Sequence, residues 1–315
     1  MSTGQVNAEP QTMPGFRHQA IFYQGEGGYL DQVRPVIEDA VGAGCPILVA
    51  VPSEKAKLLR DAMDGISGAR FLPMEEVGRN PGRILSLWYD FLDEASGSDS
   101  ARGVGEPVWA GRSAEELVEC QLHEKLLNHA FQGLEADFRL FCPYDLAHLD
   151  EPTLREAQAS HPTIADQAGP RASPIFDPSI DESQLPRLEV HSDAFVSTTG
   201  RTLADLRAHL AGKAAGFGLK PRKLSDFRLA VNEVLTNSIE YAGGGRMAVW
   251  KDDDSVVCQV DDSGHITDPL VGRRRPPPTA PRGRGLWLAN QLCDLVQLRS
   301  GRSGTQVRLH ATIAG

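Results

Sequence analysis

The stretch Leu229-Ala230-Val231-Asn232-Glu233-Val234-Leu235-Thr236-Asn237-Ser238 decides how the second half of the chain is interpreted. Its apolar residues recur at the spacing of one helix face, so we predict a helix with Ser225 as its N-cap. Glu233 and Asn237 are four residues apart and lie one above the other on the same face. Such a pair offers a carboxylate that deprotonates a hydroxyl and an amide oxygen that binds a hard cation such as Mg²⁺.

An isolated E-x-x-x-N pair is also typical of a plain polar stripe on an amphipathic helix. Here, however, three further motifs follow it in order. They are a strand that ends in Asp262-Ser263-Gly264, the sequence Gly283-Arg284-Gly285-Leu286 at the start of a helical run, and Ser303-Gly304-Thr305 before an alternating strand. Four motifs in this order are far more specific than any one of them.

In this order the motifs resemble the GHKL ATPase module, the superfamily of gyrase, heat-shock chaperone, histidine kinase and MutL. The resemblance covers about residues 190–315, and the short loops are most similar to the anti-sigma factor branch of serine protein kinases. It implies an α+β GHKL (Bergerat) ATPase sandwich. The last strand agrees with this fold, because residues 305–313 alternate between apolar and polar as in an antiparallel strand with one face on a core.

The resemblance implies ATP and Mg²⁺ as cofactors, and it assigns roles at the phosphate end of the nucleotide. Glu233 would be the catalytic general base toward a protein serine hydroxyl. Asn237 would bind the Mg²⁺ that bridges the phosphates. Gly283, Gly285 and Leu286 would open the helix whose N-terminal N–H groups face the phosphates.

At the adenine end, the resemblance implies that Asp262 accepts a hydrogen bond from the exocyclic amine. Gly264 would let the backbone approach the ring, and Thr305 would lie near the same pocket. One departure stands out, because the family usually has D-x-G-x-G and this chain has Ile266 at the last glycine position. A side chain there would crowd the nucleotide or stiffen the hinge of the lid.

Residues 267–282 would form that lid, and they include Arg273-Arg274-Arg275 followed by three prolines. These arginines have two interpretations that the sequence leaves open. They add positive charge toward the phosphates, or they belong to a solvated, disordered loop.

The first half of the chain shows a different pattern. Near-continuous apolar segments at 20–23 and 46–51 alternate with segments of helical periodicity, which predicts an α/β domain with a parallel sheet covered on both faces. We place further strands at 70–72, 107–109 and 139–142. A Ser/Gly/Asp-rich segment at 97–105 is expected to be a mobile loop.

A group of polar and aromatic residues lies at the C-terminal end of the strand predicted at 107–109 and on the helix after it, in the position where open α/β sheets bind ligands. The group consists of Glu106, Trp109, Arg112 and His123. From about His18 to His161 this half resembles the MEDS sensory domain (methanogen and methylotroph sensory), a RecA-like α/β domain fused to regulatory outputs. The resemblance implies that the domain senses a small-molecule ligand, and it does not identify the ligand.

Three alternatives remain open for this group. The residues hold the sheet edge together without binding anything, or Glu106, Arg112 and His123 serve a small-molecule enzyme. In the third, Cys120, His123 and Glu124 on one predicted helix bind a metal ion. Because the chain has no C-x-x-C motif, we do not expect a structural zinc site.

Composition limits the remaining possibilities. The chain has 315 residues, a formal charge of −10 and a pI near 5.4, so we expect two domains and no direct nucleic-acid binding. No apolar run approaches 18 residues and the first residues are polar, so we expect no membrane span, no signal peptide and a cytoplasmic location. Five scattered cysteines fit reduced, mostly buried thiols.

The expected organisation has four parts. They are a disordered tail at 1–14, a MEDS-like sensory domain at 15–162, a Pro/Ser/Asp-rich linker at 163–190 and a GHKL domain at 191–315.

Together these features predict an anti-sigma regulator that binds a sigma factor and a STAS-domain anti-anti-sigma antagonist. It would phosphorylate that antagonist on serine with ATP, and the N-terminal domain would supply sensory input. A homodimer is expected by resemblance alone. The alternative is a non-catalytic, ligand-controlled binding switch with a degenerate ATP site.

Overall fold

The computed structural model describes residues 15–63, 65–180, 185–190, 195–280 and 282–313. The tail predicted at residues 1–14 lies outside these ranges. The described chain contains a seven-stranded sheet followed by a five-stranded sheet. Across the same ranges, no helix is both long enough and apolar enough to cross a membrane.

The first sheet has the strand order β3-β2-β4-β5-β1-β6-β7. Its strands are β1 (Phe16–Tyr23), β2 (Ile47–Val51), β3 (Ala69–Pro73), β4 (Ser100–Gly105), β5 (Asp137–Asp145), β6 (Thr163–Asp166) and β7 (Gly169–Ala172). Its helices are α1 (Gly25–Gly42), α2 (Ser53–Ala62), α3 (Met74–Val77), α4 (Ile84–Glu94), α5 (Ala114–Ala130) and α6 (Glu151–Ser160), with a 3-10 turn at Pro81–Arg83.

The first six strands of this sheet are mutually parallel, and helices cover both faces. Strand β2 shows the consequence for its side chains. Leu48 and Ala50 join one apolar cluster, whereas Ile47, Val49 and Val51 join the cluster on the opposite face. A strand buried on both sides needs apolar residues at every position, which confirms the α/β prediction.

The strand predicted at 107–109 and the loop predicted at 97–105 were both wrong. The central strand is β4, at Ser100–Gly105, and it pairs with β2 and β5. The glycines of β4 suggested a loop from the sequence. In the structure they leave the space that the Trp88 side chain occupies. A Cβ on Gly103 or on Gly105 would lie 2.8 Å from the Trp88 ring.

The beginning of the predicted linker is also part of the first sheet. Strand β6 pairs in parallel with β1, and β7 pairs antiparallel with β6. Residues 163–172 therefore extend the sheet beyond the boundary expected at 162. The proline and glycine that suggested a linker occur in β7, where the edge of a sheet tolerates them.

The second sheet is antiparallel and has the order β11-β12-β10-β9-β8. Its strands are β8 (Phe195–Ser197), β9 (Gly245–Asp252), β10 (Ser255–Asp262), β11 (Leu295–Gly301) and β12 (Gly304–Thr312). Its helices are α7 (Leu203–Gly216), α8 (Pro221–Ala242) and α9 (Arg284–Leu292). These helices pack with one face of the sheet in a single apolar core, which confirms the α+β sandwich.

The N-cap of helix α8 lies five residues before the predicted N-cap, Ser225. Its N-cap is Lys220, and Pro221 occupies the first helical position, where the fixed φ of proline favours a helix start. Gly243 ends the helix in the left-handed conformation with φ 71°. The predicted apolar face is correct, because Phe227, Ala230 and Val234 are buried with their neighbours on that face.

The second face of this sheet is polar and is nevertheless buried. Gln259 and Gln306 both donate hydrogen bonds to the carbonyl oxygen of Leu188, and Arg308 donates to that of Glu189. The segment 185–190 thus lies along the sheet and satisfies its polar side chains. Helix α5 of the first domain approaches the same face, where its Glu119 carboxylate is 2.7 Å from Arg299.

Candidate functional site

The E-x-x-x-N pair and the G-x-G-L motif meet where α8 packs against α9. A Cβ on Gly285 would lie 3.1 Å from Glu233 Oε2 and 3.3 Å from Asn237 Nδ2. Glycine is therefore the residue that lets the start of α9 come this close to both side chains. Gly283 caps α9 in the left-handed conformation, with φ 93°. The N-terminal N–H groups of α9 consequently open beside Glu233 and Asn237.

The side chains of Glu233 and Asn237 are partly buried. Within the described part of the chain, neither side chain takes part in a hydrogen bond or an ion pair of the fold. The carboxylate and the amide have unused acceptor atoms that can bind a cation, and the adjacent helix N-terminus favours a phosphate.

The D-x-G and G-T motifs meet on neighbouring strands. Asp262 in β10 is directly opposite Thr305 in β12, on the face that the helices cover. Asp262 Oδ1 accepts a 2.8 Å hydrogen bond from the Gly264 N–H, and Thr305 Oγ1 donates a 2.9 Å bond to the Gly264 carbonyl. Gly264 is thus held from both sides, and the hydroxyl proton of Thr305 is used to position this turn.

These two groups of residues lie at different levels along α8. A Cβ on Gly264 would be 3.4 Å from Ala242, the last residue of the helix. Asn237 is five residues earlier, which corresponds to about 8 Å along the axis. The four motifs therefore line one elongated region, with Asp262 near one end and Glu233 toward the other.

Ile266, which replaces the expected glycine, is tied to the strand behind it. Its N–H donates a 2.8 Å hydrogen bond to Ser300 Oγ, and Ser300 Oγ is 2.8 Å from Thr305 Oγ1. Ile266 also lines a groove of about 550 Å³ together with His129 of the first domain and Ile180 of the segment between the two sheets. The isoleucine therefore contributes to a region between the two domains.

The lid segment packs against the first domain, where Arg273 is buried, whereas Arg274 and Arg275 are exposed. The Arg273 carbonyl accepts a 2.9 Å hydrogen bond from Ser86 Oγ, and its guanidinium lies 3.8 Å from Glu119. The Arg274 guanidinium is 4.5 Å from the centre of the Tyr89 ring. These two arginines thus face α4 and α5, while Arg275 stacks on Trp287 of α9.

Helix α9 is held by the first domain as well. Asn80 Nδ2 donates 3.0 Å hydrogen bonds to the backbone and side-chain oxygens of Asn290, and both residues are buried. Asn290 in turn donates to the carbonyl of Gly272 in the lid. A Cβ on Gly82 would collide with the Asn290 side chain, so the two domains approach closely at this point.

In the first domain, Glu106 forms a buried polar group with two tyrosines. Tyr23 donates a 3.0 Å hydrogen bond to Glu106 Oε1, and the rings of Tyr23 and Tyr29 are 4.9 Å apart. Burial raises the pKa of Glu106 to about 8, against the opposing effect of Lys55. The Lys55 ammonium lies over both tyrosine rings. Glu106 therefore carries a proton at neutral pH.

Arg112 and Trp109 form a separate unit. The Arg112 guanidinium donates to the carbonyl oxygens of Pro107, Arg79 and Gly78, and it stacks 3.9 Å from the Trp109 ring. Together with a 3.4 Å hydrogen bond to Glu116, these bonds use four of the five guanidinium N–H donors. Arg112 thus ties the loops around it together, and its contacts differ from those of Glu106.

His123 is buried, and burial lowers the pKa of its ring to about 3. The metal trio considered from the sequence does not assemble, because the Cys120 thiol donates to the carbonyl of Pro107. Among the described residues, the one group of His, Cys, Asp and Glu donors close enough for an ion joins Glu124 to His18, Cys142 and His161. Sequence spacing gave no signal for this group, because four distant segments supply it.

Glu119 is a further residue that the sequence did not point to. It is 1% exposed and faces Arg299 and Arg273 of the other domain. A buried carboxylate next to two arginines is the kind of group that fixes the position of one element against another. On the sequence it is one of several glutamates on a helix.

Comparison with known proteins follows this two-part architecture. Residues 17–162 match the family described as MEDS, the methanogen/methylotroph, DcmR sensory domain. Residues 196–311 match the histidine kinase-like ATPase domain family. A search of the curated proteins gave no significant match.

Among solved structures, this chain is similar to one in the crystal structure of the RsbU and RsbW domains of Rv1364c from Mycobacterium tuberculosis. The sequence identity is 20% and the TM-score is 0.29. The similarity covers 38% of this chain and 31% of that chain, so this chain spans less than a third of its length.

Proposed function

We propose that this chain, in which a MEDS sensory domain precedes a histidine kinase-like ATPase domain, is an ATP-dependent anti-sigma regulator controlled by its N-terminal domain. The observation that carries the nucleotide part is the contact of Gly285 with both Glu233 and Asn237. It brings a potential base, a cation ligand and a helix N-terminus to one place.

In this proposal each motif residue has a defined role. Asn237 binds Mg²⁺ at the phosphates, and Gly283, Gly285 and Leu286 form the start of the phosphate-facing helix. Asp262 receives the adenine amine through Oδ2, because Oδ1 is used by the Gly264 N–H. Glu233 takes the proton from a serine hydroxyl as that oxygen attacks the terminal phosphate.

The serine belongs to a STAS-domain antagonist, and the competing partner is a sigma factor. This assignment rests on the resemblance to the anti-sigma branch. The composition agrees with protein partners, since a chain with a net charge of −10 is poorly suited to bind nucleic acid directly.

In this proposal the N-terminal domain controls the nucleotide site through its contacts with the lid and α9. It holds the lid through Ser86 and Glu119, and it holds α9 through Asn80. These are the two elements that must adjust when a nucleotide enters between the lid and α8. A change in the sensory domain therefore has a direct route to the affinity for ATP.

Calorimetric titration of the full chain with Mg-ATP tests the nucleotide site. We expect binding that Asn237→Ala and Asp262→Ala abolish or weaken by more than about tenfold, or 1.4 kcal/mol. Arg228→Gln, an exposed change on the same helix, is the matched control and keeps wild-type affinity. Wild-type protein that takes up no Mg-ATP would refute the proposal.

A phosphotransfer assay tests the catalytic step. Labelled ATP and candidate STAS-domain proteins should yield phosphoserine with the wild type and not with Glu233→Gln, which keeps the shape but loses the base. The two proteins should bind Mg-ATP similarly, because the role of Glu233 lies in proton transfer. Pull-down of neither a sigma factor nor a STAS protein would contradict the partner assignment.

A second candidate function is a binding switch without catalysis, and Ile266 favours it. The residue replaces a glycine at the hinge of the lid, and its backbone is bonded to Ser300. Such a hinge would move less, so that the partners bind without phosphotransfer. Partner binding that is insensitive to Mg-ATP and to Glu233→Gln would select this alternative, and Ile266→Gly would then increase nucleotide affinity.

A further inference from the structure

Four potential metal ligands meet inside the first domain. His18 of β1 and Cys142 of β5 project from the same face of the sheet toward α5, which supplies Glu124. His161 follows directly after α6 and completes the group. All four side chains are buried, and their donor atoms lie within 4.8 Å of one another.

Four of the six distances between these donor atoms are close to those of a coordination shell. Glu124 Oε2 is 3.0 Å from His18 Nε2 and 3.4 Å from His161 Nε2. Cys142 Sγ is 3.3 Å from His18 Nε2 and 3.6 Å from Glu124 Oε2. A tetrahedral zinc ion with ordinary bond lengths separates its N, O and S ligands by about 3.4 to 3.6 Å.

The outer nitrogen of each histidine is held by an acceptor. His161 Nδ1 is 2.7 Å from the Ala157 carbonyl, so this nitrogen carries the ring proton. His18 Nδ1 is 3.2 Å from Asn128 Oδ1. The orientation of that amide is fixed, because Asn128 Nδ2 donates to the carbonyl of Ser160. Metal-binding histidines are typically oriented by such acceptors.

If both imidazoles are neutral, the inner atoms conflict unless a cation lies between them. With Nδ1 protonated, a neutral imidazole presents a lone pair at Nε2, and both Nε2 atoms face the same carboxylate oxygen. The Cys142 thiol supplies one proton, which satisfies one of these contacts. His161 Nε2 and Glu124 Oε1 make no hydrogen bond with the described residues, although both are buried. Buried polar atoms in native proteins are rarely left in this state.

We propose that His18, Glu124, Cys142 and His161 bind one zinc-class divalent cation in the sensory domain. Two imidazoles, a thiolate and a carboxylate match the preference of Zn²⁺ and related borderline metals, rather than that of Mg²⁺ or Ca²⁺. With four protein ligands the site is closed, so the ion has a structural or sensing role. In the absence of an ion, the lone pairs of the two Nε2 atoms and of the Glu124 carboxylate repel one another. When the ion is bound, all of them coordinate it.

This site goes beyond the proposed nucleotide function and does not depend on it. The helix that supplies Glu124 also supplies Glu119, which contacts Arg299 and the lid. A change of the ion or of its ligands would therefore act on a helix that reaches the ATPase domain.

Cobalt binding by the full chain tests the site, because Co²⁺ substitutes for Zn²⁺ and reports its ligands by absorption. Protein stripped with a chelator should take up one Co²⁺ per chain, with the visible bands of tetrahedral coordination and a thiolate charge-transfer band. Zn²⁺ should displace the Co²⁺ and the bands. A wild-type chain that fails to bind one Co²⁺, or binds it without a thiolate band, overturns the proposal.

Matched variants identify the ligands. Cys142→Ser should abolish the charge-transfer band, and His161→Gln should weaken Co²⁺ binding by more than about 100-fold. Cys120→Ser and His123→Gln are the controls, because these buried residues of the same types lie outside the four-ligand group. Both should keep the band and the affinity, whereas a band lost in Cys120→Ser would transfer the site to the trio on α5 and refute the proposal.

Asn128→Ser keeps the proposal testable if the variants of the ligands themselves fail to fold. It leaves all four ligands in place and removes the acceptor of His18 Nδ1. We expect Co²⁺ affinity to fall about 10- to 100-fold while the band remains. Circular dichroism of the same samples reports whether the protein is folded, and unchanged Co²⁺ affinity would contradict the assigned orientation of His18.

Discussion

At the scale of single residues, Gly285 offers the sharpest test of the nucleotide site. Gly285→Ala should lower Mg-ATP affinity by about 10- to 100-fold, because the new methyl group displaces the Glu233 carboxylate and the Asn237 amide. Stability should change little, since Gly285 is helical and alanine favours a helix. Calorimetry together with a thermal melt measures both effects.

The control for this change is Gly212→Ala in α7, where an added Cβ meets no atom within 4 Å. It should leave the affinity unchanged and raise stability by about 0.5 to 1 kcal/mol. Equal affinities for Gly285→Ala and the wild type would show that the nucleotide does not use this contact.

Glu106 predicts a specific dependence of stability on pH. Its folded pKa of about 8 is above the ordinary value of 4.5, so the folded state holds the proton more tightly than the unfolded chain. The stabilisation is complete below about pH 4.5 and is lost as the pH rises to 8. Glu106→Gln mimics the protonated form and should stabilise the chain at pH 8.5 by about 1 to 4 kcal/mol.

Urea unfolding of Glu106→Gln and the wild type at pH 5 and pH 8.5 measures this difference. The variant should approach the wild type at pH 5, where both side chains are neutral in the folded state. A difference that does not grow with pH would mean that Glu106 is ionised in the fold.

At the scale of secondary-structure elements, β4 depends on the absence of side chains at its glycines. Gly103→Ala places a Cβ 2.8 Å from both Trp88 and Leu140, so we expect a loss of about 1 to 3 kcal/mol in unfolding free energy. Gly97→Ala, where the Cβ meets open space, should be nearly neutral. Urea denaturation compares the two.

A second change tests the physical reason for this loss. Trp88→Phe in the Gly103→Ala background removes part of the ring that the new methyl group meets, so it should recover part of the lost stability. If the losses in stability from Gly103→Ala and Trp88→Phe are simply additive, the contact between the new methyl group and Trp88 is not the source of the strain.

The elements differ in how far the sequence predicted them. The caps of α5 and α7 are predictable, because Ser113 and Thr202 both form capping boxes with acidic residues three positions later. Strand β4 was not predicted, because a segment rich in glycine and serine is typical of a loop when only the local sequence is considered. Only the position of Trp88 from a separate helix gives those glycines their structural reason.

At the scale of the whole molecule, Glu119 should couple the domains. Glu119→Gln removes the charge that balances Arg299 at a buried contact, so we expect a loss of about 3 kcal/mol in stability. The lid should also open more often, and trypsin should cut faster after Arg274 in the full chain. Timed digestion followed by mass spectrometry measures this rate.

Glu115→Gln is the matched control, because Glu115 lies on the same helix and faces Arg308 at 3.6 Å but is half-exposed. Because the Glu115 carboxylate is half-exposed and Arg308 has further acceptors in Gln259 and Glu189, the loss should cost less than about 1 kcal/mol and leave the digestion rate unchanged. Equal digestion rates for Glu119→Gln and the wild type would show that the Glu119 contact does not restrain the lid.

The sequence by itself determined the two fold classes and the order of the nucleotide motifs. Both depend on local patterns, namely the spacing of apolar residues along helices and strands and short motifs within one element. These patterns survive without knowledge of any distant contact.

Only the tertiary structure decided which distant residues meet. It assembled His18, Glu124, Cys142 and His161 from four segments, placed the lid arginines against α4 and α5, and buried the polar face of the second sheet. Such contacts depend on how elements pack in three dimensions. A single sequence carries no periodic signal for them, because each residue taken alone looks like an ordinary polar side chain on its own element.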